Sequence, residues 1–135
     1  ITINWSSIYL DQYFPLPEIF KEAMELLLNK GKPYGFLKDI VIVALIPAIC
    51  EESFFRGIFQ TSINQFITPK LAVFLTALLF AIYHLNPWYF VYYLILGLFY
   101  GWLFVKTRSL YLPILAHFIH NSTSLYLYHF TEWSV

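Results

Sequence analysis

The sequence predicts an all-α fold, a polytopic membrane helix bundle with about four transmembrane helices and an N-terminal amphipathic helix. Hydrophobic residues make up 59% of the 135 residues and charged residues only 12%, whereas a soluble domain carries about 25% charge. Strongly apolar segments also follow one another with very short connections through most of the chain. Because such segments are solvated by lipid rather than water, the chain is expected to be an integral membrane protein with one domain-sized core.

Residues 1–35 are predicted to form an N-terminal stretch outside this core. A helix is expected from about Glu18 to Asn29, because Pro17 stands at its start and Gly31 follows its end. Its apolar side chains fall on one side and its charged side chains on the other, which is typical of a helix lying at a membrane surface. A helix packed on a soluble partner fits this segment equally well.

Residues 36–135 are predicted to form the core, with apolar segments at about 38–66, 70–85, 88–105 and 109–130. A membrane-spanning helix needs about 20 mainly apolar residues, and the last two segments fit that length without an interior charge. The connections are so short that neighbouring helices must be antiparallel. The sequence therefore predicts a multi-pass protein of the cell membrane.

Two further patterns support helices packed within a membrane. Gly97 and Gly101 form a small-xxx-small pair that permits close approach of two helices, although chance also explains such a pair. Aromatic side chains near the segment ends predict an interfacial belt formed by Trp88, Tyr89, Tyr92, Tyr93, Tyr100, Trp102, Tyr126, Tyr128 and Trp133.

Three ionisable residues interrupt the first apolar segment, although each costs about 2.5–3.5 kcal/mol at the centre of a membrane helix. Glu52 and Arg56 are four residues apart, so they are expected to form an ion pair along one helix. Glu51 points about 100° away around the helix and has no such partner. A structural salt bridge therefore accounts for the presence of Glu52 and Arg56 in an apolar segment, but it does not account for the presence of Glu51.

Histidines recur at a similar depth in the later segments. With about 1.5 Å of rise per residue, Glu51, His84 and His117 lie roughly 12–21 Å from the first residue of their respective segments, so they can converge. Asn121 shares a helix face with His117, and His120 lies close to that face. A single buried histidine is usually a packed core residue, but this group indicates a proton relay, a substrate pathway or a catalytic centre.

The order of these polar residues resembles that of a known family, the CPBP intramembrane proteases, which comprise type II CAAX prenyl endopeptidases and bacteriocin-processing relatives and are also called the Abi family. The resemblance covers residues 36–121, and three motifs in sequence carry it. They are E-E-x-x-x-R at Glu51, Glu52 and Arg56, F-x-x-x-H at Phe80 and His84, and H-x-x-x-N at His117 and Asn121.

The resemblance implies a role for each motif residue. Glu51 and His84 would activate the attacking water, and His117 and Asn121 would hold the developing oxyanion or help to bind a metal. Glu52 and Arg56 would support the site. Two histidines and a carboxylate suit zinc, so Glu51, His84 and His117 are the predicted ligands, although the same groups could act without a metal.

The function expected from the resemblance is that of an intramembrane endopeptidase of metallo- or glutamate type. Its partners would be the lipid bilayer and a membrane-anchored peptide or protein, either CAAX-type or a bacteriocin-type leader. The formal net charge of zero gives no reason to expect a nucleic acid. The alternatives are a non-enzymatic immunity protein or scaffold, a proton-coupled transport protein, and a membrane enzyme that catalyses transfer rather than hydrolysis.

Overall fold

The structure is a computed structural model, and it describes residues 34–130 together with Ile19, Glu22, Leu26, Leu28 and Lys32. All regular structure from residue 34 to residue 130 is helical, with no strand in that range, so the predicted all-α class is confirmed. The amphipathic helix predicted from Glu18 to Asn29 falls mainly outside the described residues.

The first helical run contains two stretches of π-helix. It comprises α1 (Gly35–Asp39), a π-helical stretch (Ile40–Leu45), α2 (Ile46–Glu52), a second π-helical stretch (Ser53–Gln60) and α3 (Thr61–Ile63). In a π-helix each backbone hydrogen bond spans five residues rather than four, and such turns often occur at functional sites. The apolar pattern predicted one continuous helix here, since hydrophobic spacing does not distinguish the two hydrogen-bonding patterns.

The second helix, α4 (Pro69–Tyr83), begins with a favourable cap. The hydroxyl of Thr68 accepts a hydrogen bond from the backbone N–H of Leu71 at 3.4 Å, and Pro69 fills the first turn, where no backbone donor is needed. The helix ends at Tyr83, so His84 lies at its C-terminal end rather than within it.

The third helix, α5 (Phe90–Thr107), follows a tight turn. The side-chain oxygen of Asn86 accepts hydrogen bonds from the backbone N–H groups of Trp88 and Tyr89 at 3.1 and 3.3 Å, which reverses the chain in a few residues. The helix stops at Arg108, whose φ of 51° is left-handed. Many helices end at a residue in this conformation, which is usually a glycine rather than an arginine.

The last helix, α6 (Tyr111–Phe130), starts where the hydroxyl of Ser109 accepts a hydrogen bond from the N–H of Tyr111 at 3.2 Å. The four predicted apolar segments thus each contain a helix, with ends that differ from the prediction by no more than three residues. Among the described helices, α5 combines the length and the mean hydropathy, 1.5 over 18 residues, that crossing a membrane requires. The four-span membrane arrangement stays a prediction.

The described helices contribute to two compact units. The central unit, residues 47–117, contains α4 packed closely against α5. A Cβ atom added to Gly97 would lie 2.9 Å from the Cα atom of Ala77. The absence of a side chain at Gly97 therefore allows the two helices to approach closely, as predicted. The terminal unit comprises residues 1–46 and 118–135, and its described core includes Leu28, Ala44, Leu125 and Tyr128.

Candidate active site

Glu52 and Arg56 form the predicted ion pair in the interior of the central unit. One guanidinium nitrogen of Arg56, Nη1, donates to Oε1 of Glu52 at 2.9 Å, and both side chains are fully buried. Nη2 donates to the backbone carbonyl of Gly97 at 3.0 Å, and the guanidinium lies 4.8 Å from the ring centre of Phe80. Because a buried charge is stable only when it is paired and hydrogen-bonded, these contacts fix both side chains.

His117 joins this ion pair. Its Nδ1 lies 2.8 Å from Oε1 of Glu52, the oxygen that also accepts from Arg56. A carboxylate paired with arginine can only accept, so His117 donates its Nδ1 proton to Glu52. The opposite nitrogen, Nε2, then carries a lone pair when the ring is neutral and a proton only when the ring is an imidazolium.

Glu51 faces His84 across the end of α4. Oε2 of Glu51 and Nε2 of His84 are 4.0 Å apart, which is too long for a direct hydrogen bond. Oε2 is buried and has no hydrogen-bond partner among the described residues. On the other side of the ring, Nδ1 of His84 lies 2.8 Å from the carbonyl oxygen of Phe80. Since a carbonyl only accepts, Nδ1 carries the proton, and Nε2 of the neutral ring presents its lone pair towards Glu51.

Two tyrosines of α5 stack on the two histidines. The Tyr93 ring lies parallel to that of His84, with centroids 3.9 Å apart, and the Tyr100 ring lies parallel to that of His117 at 5.0 Å. Both tyrosines are buried, as are Tyr89 and Tyr128, so the sequence-based assignment of these four residues to an interfacial belt is wrong. The spacing of seven residues between Tyr93 and Tyr100, two helical turns, was the available signal, because it places both rings on one face.

Asn121 and His120 belong to the terminal unit. The side-chain Nδ2 of Asn121 donates to the backbone carbonyl of Val43 at 3.4 Å, and its Oδ1 is buried without a hydrogen-bond partner among the described residues. His120 is half-buried. The structure thus brings Glu51 to His84 and Glu52 to both Arg56 and His117, while the approach of Asn121 to Glu51 stays a prediction.

The predicted zinc ligands are not assembled as a set. Within the part of the chain that the structure describes, no three histidine, cysteine, aspartate or glutamate side chains form a group that could hold a metal ion. Zinc ligands at about 2.0–2.2 Å in tetrahedral geometry lie roughly 3.4 Å from each other, whereas the donors of Glu51 and His84 are 4.0 Å apart. His117 donates Nδ1 to Glu52, which is the outer contact that a metal-binding histidine usually makes and which leaves Nε2 available. Zinc binding by Glu51, His84 and His117 therefore stays a prediction.

Comparison with known proteins assigns this arrangement to a family. No curated protein and no solved structure matches the chain. A family model described as type II CAAX prenyl endopeptidase Rce1-like matches residues 33–123, a range that includes every motif residue from Glu51 to Asn121 and more than half of the 135 residues. The chain belongs to the Rce1-like type II CAAX prenyl endopeptidase family.

Proposed function

We propose that this chain hydrolyses a peptide bond of a membrane-associated, CAAX-type substrate, using a water molecule held between Glu51 and His84. Family membership indicates a membrane-embedded protease; the substrate, the residues and the mechanism belong to the proposal. The observation that supports it best is the 4.0 Å separation of Oε2 of Glu51 and Nε2 of His84.

This separation suits a bridging water. A water oxygen about 2.8 Å from each of two acceptors that are 4.0 Å apart subtends an angle of about 90°, which is close to the H–O–H angle. Glu51 as a carboxylate and His84 as a neutral ring both accept, so the water donates both of its protons. Its oxygen lone pairs then point away from the pair, towards the position of a bound peptide carbonyl.

The reaction follows from this arrangement. The water oxygen bonds to the carbonyl carbon while one of its protons moves to the carboxylate of Glu51 or to Nε2 of His84. The carbonyl oxygen takes up negative charge. When the carbon–nitrogen bond breaks, the stored proton passes to the leaving amine. Atoms and protons therefore balance with one water consumed.

His117 and Asn121 are proposed to stabilise the oxyanion. Donors aimed at the developing charge usually make a large contribution to such reactions. His117 can donate from Nε2 only as an imidazolium, because Nδ1 already donates to Glu52. The carboxylate of Glu52 contacts both the guanidinium of Arg56 and the imidazole, so it fixes the direction in which Nε2 points. The role of Asn121 rests on the H-x-x-x-N resemblance.

The experiment that tests the proposal uses the full chain in proteoliposomes. A peptide ending in a prenylated cysteine and three further residues is the substrate, and release of the C-terminal tripeptide is measured by mass spectrometry. We expect Glu51→Gln to abolish release. Cys50→Ser is the matched control, because Cys50 is the neighbouring residue, is exposed and has a free thiol. Tripeptide release by Glu51→Gln at the wild-type rate would contradict the proposal.

A further inference from the structure

A cavity with polar residues in its lining lies in the central unit, and none of the predicted site residues lines it. It has a volume of about 340 Å³ and is formed where the turn after α3 meets the C-terminal end of α5. Its polar lining comprises Gln60, Thr61, Asn64 and Arg108, and Phe104 and Val105 contribute an apolar wall. It therefore combines polar and apolar surfaces in one concave site.

Two residues of the cavity lining, Gln60 and Thr61, present hydrogen-bond acceptors. Gln60 is 2% exposed, and its Nε2 donates to the carbonyl of Gly101 at 3.3 Å. Its Oε1 is buried and has no partner among the described residues. The hydroxyl of Thr61 gives its proton to the carbonyl of Arg56 at 2.9 Å, so it too can only accept. A buried acceptor without a donor costs free energy, so this region favours a ligand with N–H or O–H groups.

Arg108 gives the cavity lining a positive charge. It holds a left-handed backbone conformation, with φ of 51°, that is unfavourable for any residue with a Cβ atom. Strained positions of this kind are concentrated at functional sites. No aspartate or glutamate occurs from Ser53 to His117, so no carboxylate of that range offsets the charge of Arg108. The charge of Arg108 therefore favours an anionic group in the cavity.

We propose that this cavity binds a phosphate ester whose headgroup carries hydrogen-bond donors, with a primary ammonium as the best fit. The ammonium would donate to Oε1 of Gln60 and the hydroxyl oxygen of Thr61, and the phosphate would pair with Arg108. The wall formed by Phe104 and Val105 would contact the attached apolar group. A trimethylammonium headgroup has no N–H to donate, so it is excluded by the same chemistry. This inference is independent of the proposed hydrolysis.

Native mass spectrometry of the full chain in detergent micelles tests the proposal. The probes are an ethanolamine phospholipid and a choline phospholipid with identical acyl chains. We expect the ethanolamine lipid to bind about tenfold more tightly, because charge-assisted hydrogen bonds are the strongest polar contacts available here. Equal affinity for the two lipids would overturn the proposal.

Two variants locate the binding. Arg108→Gly removes the charge and also relieves the left-handed strain, so a loss of binding cannot be attributed to a weakened fold. Lys106→Gln removes a charge from the last turn of the same helix but does not line the cavity. We expect Arg108→Gly to lose the ethanolamine preference and Lys106→Gln to keep it. The same preference in both variants would rule out this cavity as the site.

A competition measurement distinguishes a membrane lipid from a soluble phosphate ester as the ligand. Soluble phosphoethanolamine is added to the chain loaded with ethanolamine lipid. If the lipid is retained at a large excess of the soluble ester, the ligand is a membrane lipid, because the apolar wall contributes to binding. If the soluble ester displaces the lipid at a similar concentration, the ligand is a soluble phosphate ester with the same headgroup. Failure of both to bind would reject the site.

Discussion

The imidazole ring of His84 lies nearly parallel to the phenol ring of Tyr93, with centroids 3.9 Å apart and planes inclined by 22°. The hydrogen bond from Nδ1 to the carbonyl of Phe80 fixes one edge of the imidazole, and the stacking fixes its plane. Together they direct Nε2 towards Glu51. Tyr93 is therefore expected to position His84 rather than to contact the substrate.

Replacement of Tyr93 tests this positioning role. We expect Tyr93→Leu to lower kcat about tenfold with little change in KM, because loss of an aromatic contact worth about 0.5–1.5 kcal/mol frees the ring of His84. Tyr93→Phe should restore most of kcat, since it keeps the stacked ring. Phe99→Leu removes an exposed ring from the same helix and serves as the control. An equal effect of Tyr93→Leu and Phe99→Leu on kcat would show that stacking is unimportant.

The second prediction concerns His84 as a proton acceptor. His84→Gln keeps a polar side chain at this position but cannot take up a proton. General-base catalysis typically contributes about 10²–10⁴-fold, so we expect a loss of that size in kcat with an unchanged thermal unfolding temperature. Circular dichroism and tripeptide release measure the two quantities. Cleavage at the wild-type rate would leave Glu51 as the sole base.

The third prediction separates support of the site from catalysis. Glu52→Gln leaves the buried guanidinium of Arg56 without a counter-charge, so we expect a loss of about 3–5 kcal/mol in the free energy of unfolding. Glu51→Gln should change stability much less, because Glu51 is partly exposed and has no hydrogen bond to its Oε2. Denaturant titration of both variants in detergent measures the difference, and equal stabilities would contradict the assigned roles.

The fourth prediction concerns the contact between α4 and α5. Gly97→Ala would place a Cβ atom 2.9 Å from the backbone of Ala77, so we expect the helices to separate at a cost of about 1–3 kcal/mol. Gly57→Ala is the matched control, since its Cβ would meet only the flexible side chain of Leu110 at 3.2 Å. Thermal unfolding distinguishes them; destabilisation by Gly57→Ala alone would disprove the close contact.

The fifth prediction addresses zinc. Because the pair of Glu51 and His84 can bind and polarise a water directly, we expect cleavage to persist after exhaustive chelation. Metal analysis of the purified chain accompanies the assay. One equivalent of zinc that disappears in Glu51→Gln and in His84→Ala, together with activity lost on chelation and regained on zinc addition, would instead establish the predicted metal site.

Much of the helical arrangement was predictable because apolar segments and turn residues are local features of the sequence. The pairing of Glu52 with Arg56 follows from a spacing of four residues on one helix. The contact of His117 with the same carboxylate joins residues 65 positions apart, and spacing within one helix cannot reveal it. The sequence therefore predicted a polar role for His117, but the structure was needed to identify which of its two ring nitrogens is available.

The aromatic residues show a second limit of sequence reasoning. Tyr93 and Tyr100 have the composition of an interfacial belt, but both are buried against histidines. Whether a tyrosine faces lipid, headgroups or an interior depends on the rotation of its helix. In α5 the rotation that buries the two tyrosines also brings Gly97 against Ala77, and this contact joins two segments, so neither segment alone specifies it.

The two π-helical stretches on either side of α2 also carry an evolutionary consequence. Because a π-turn accommodates one more residue than the α-turn it replaces, a one-residue deletion in Ser53–Gln60 could be absorbed by local rewinding to an α-helix. A deletion after Arg56 would keep the spacing of Glu52 and Arg56 but rotate Gln60 relative to them. Alignments of related chains should therefore place single-residue gaps after the arginine and not before it.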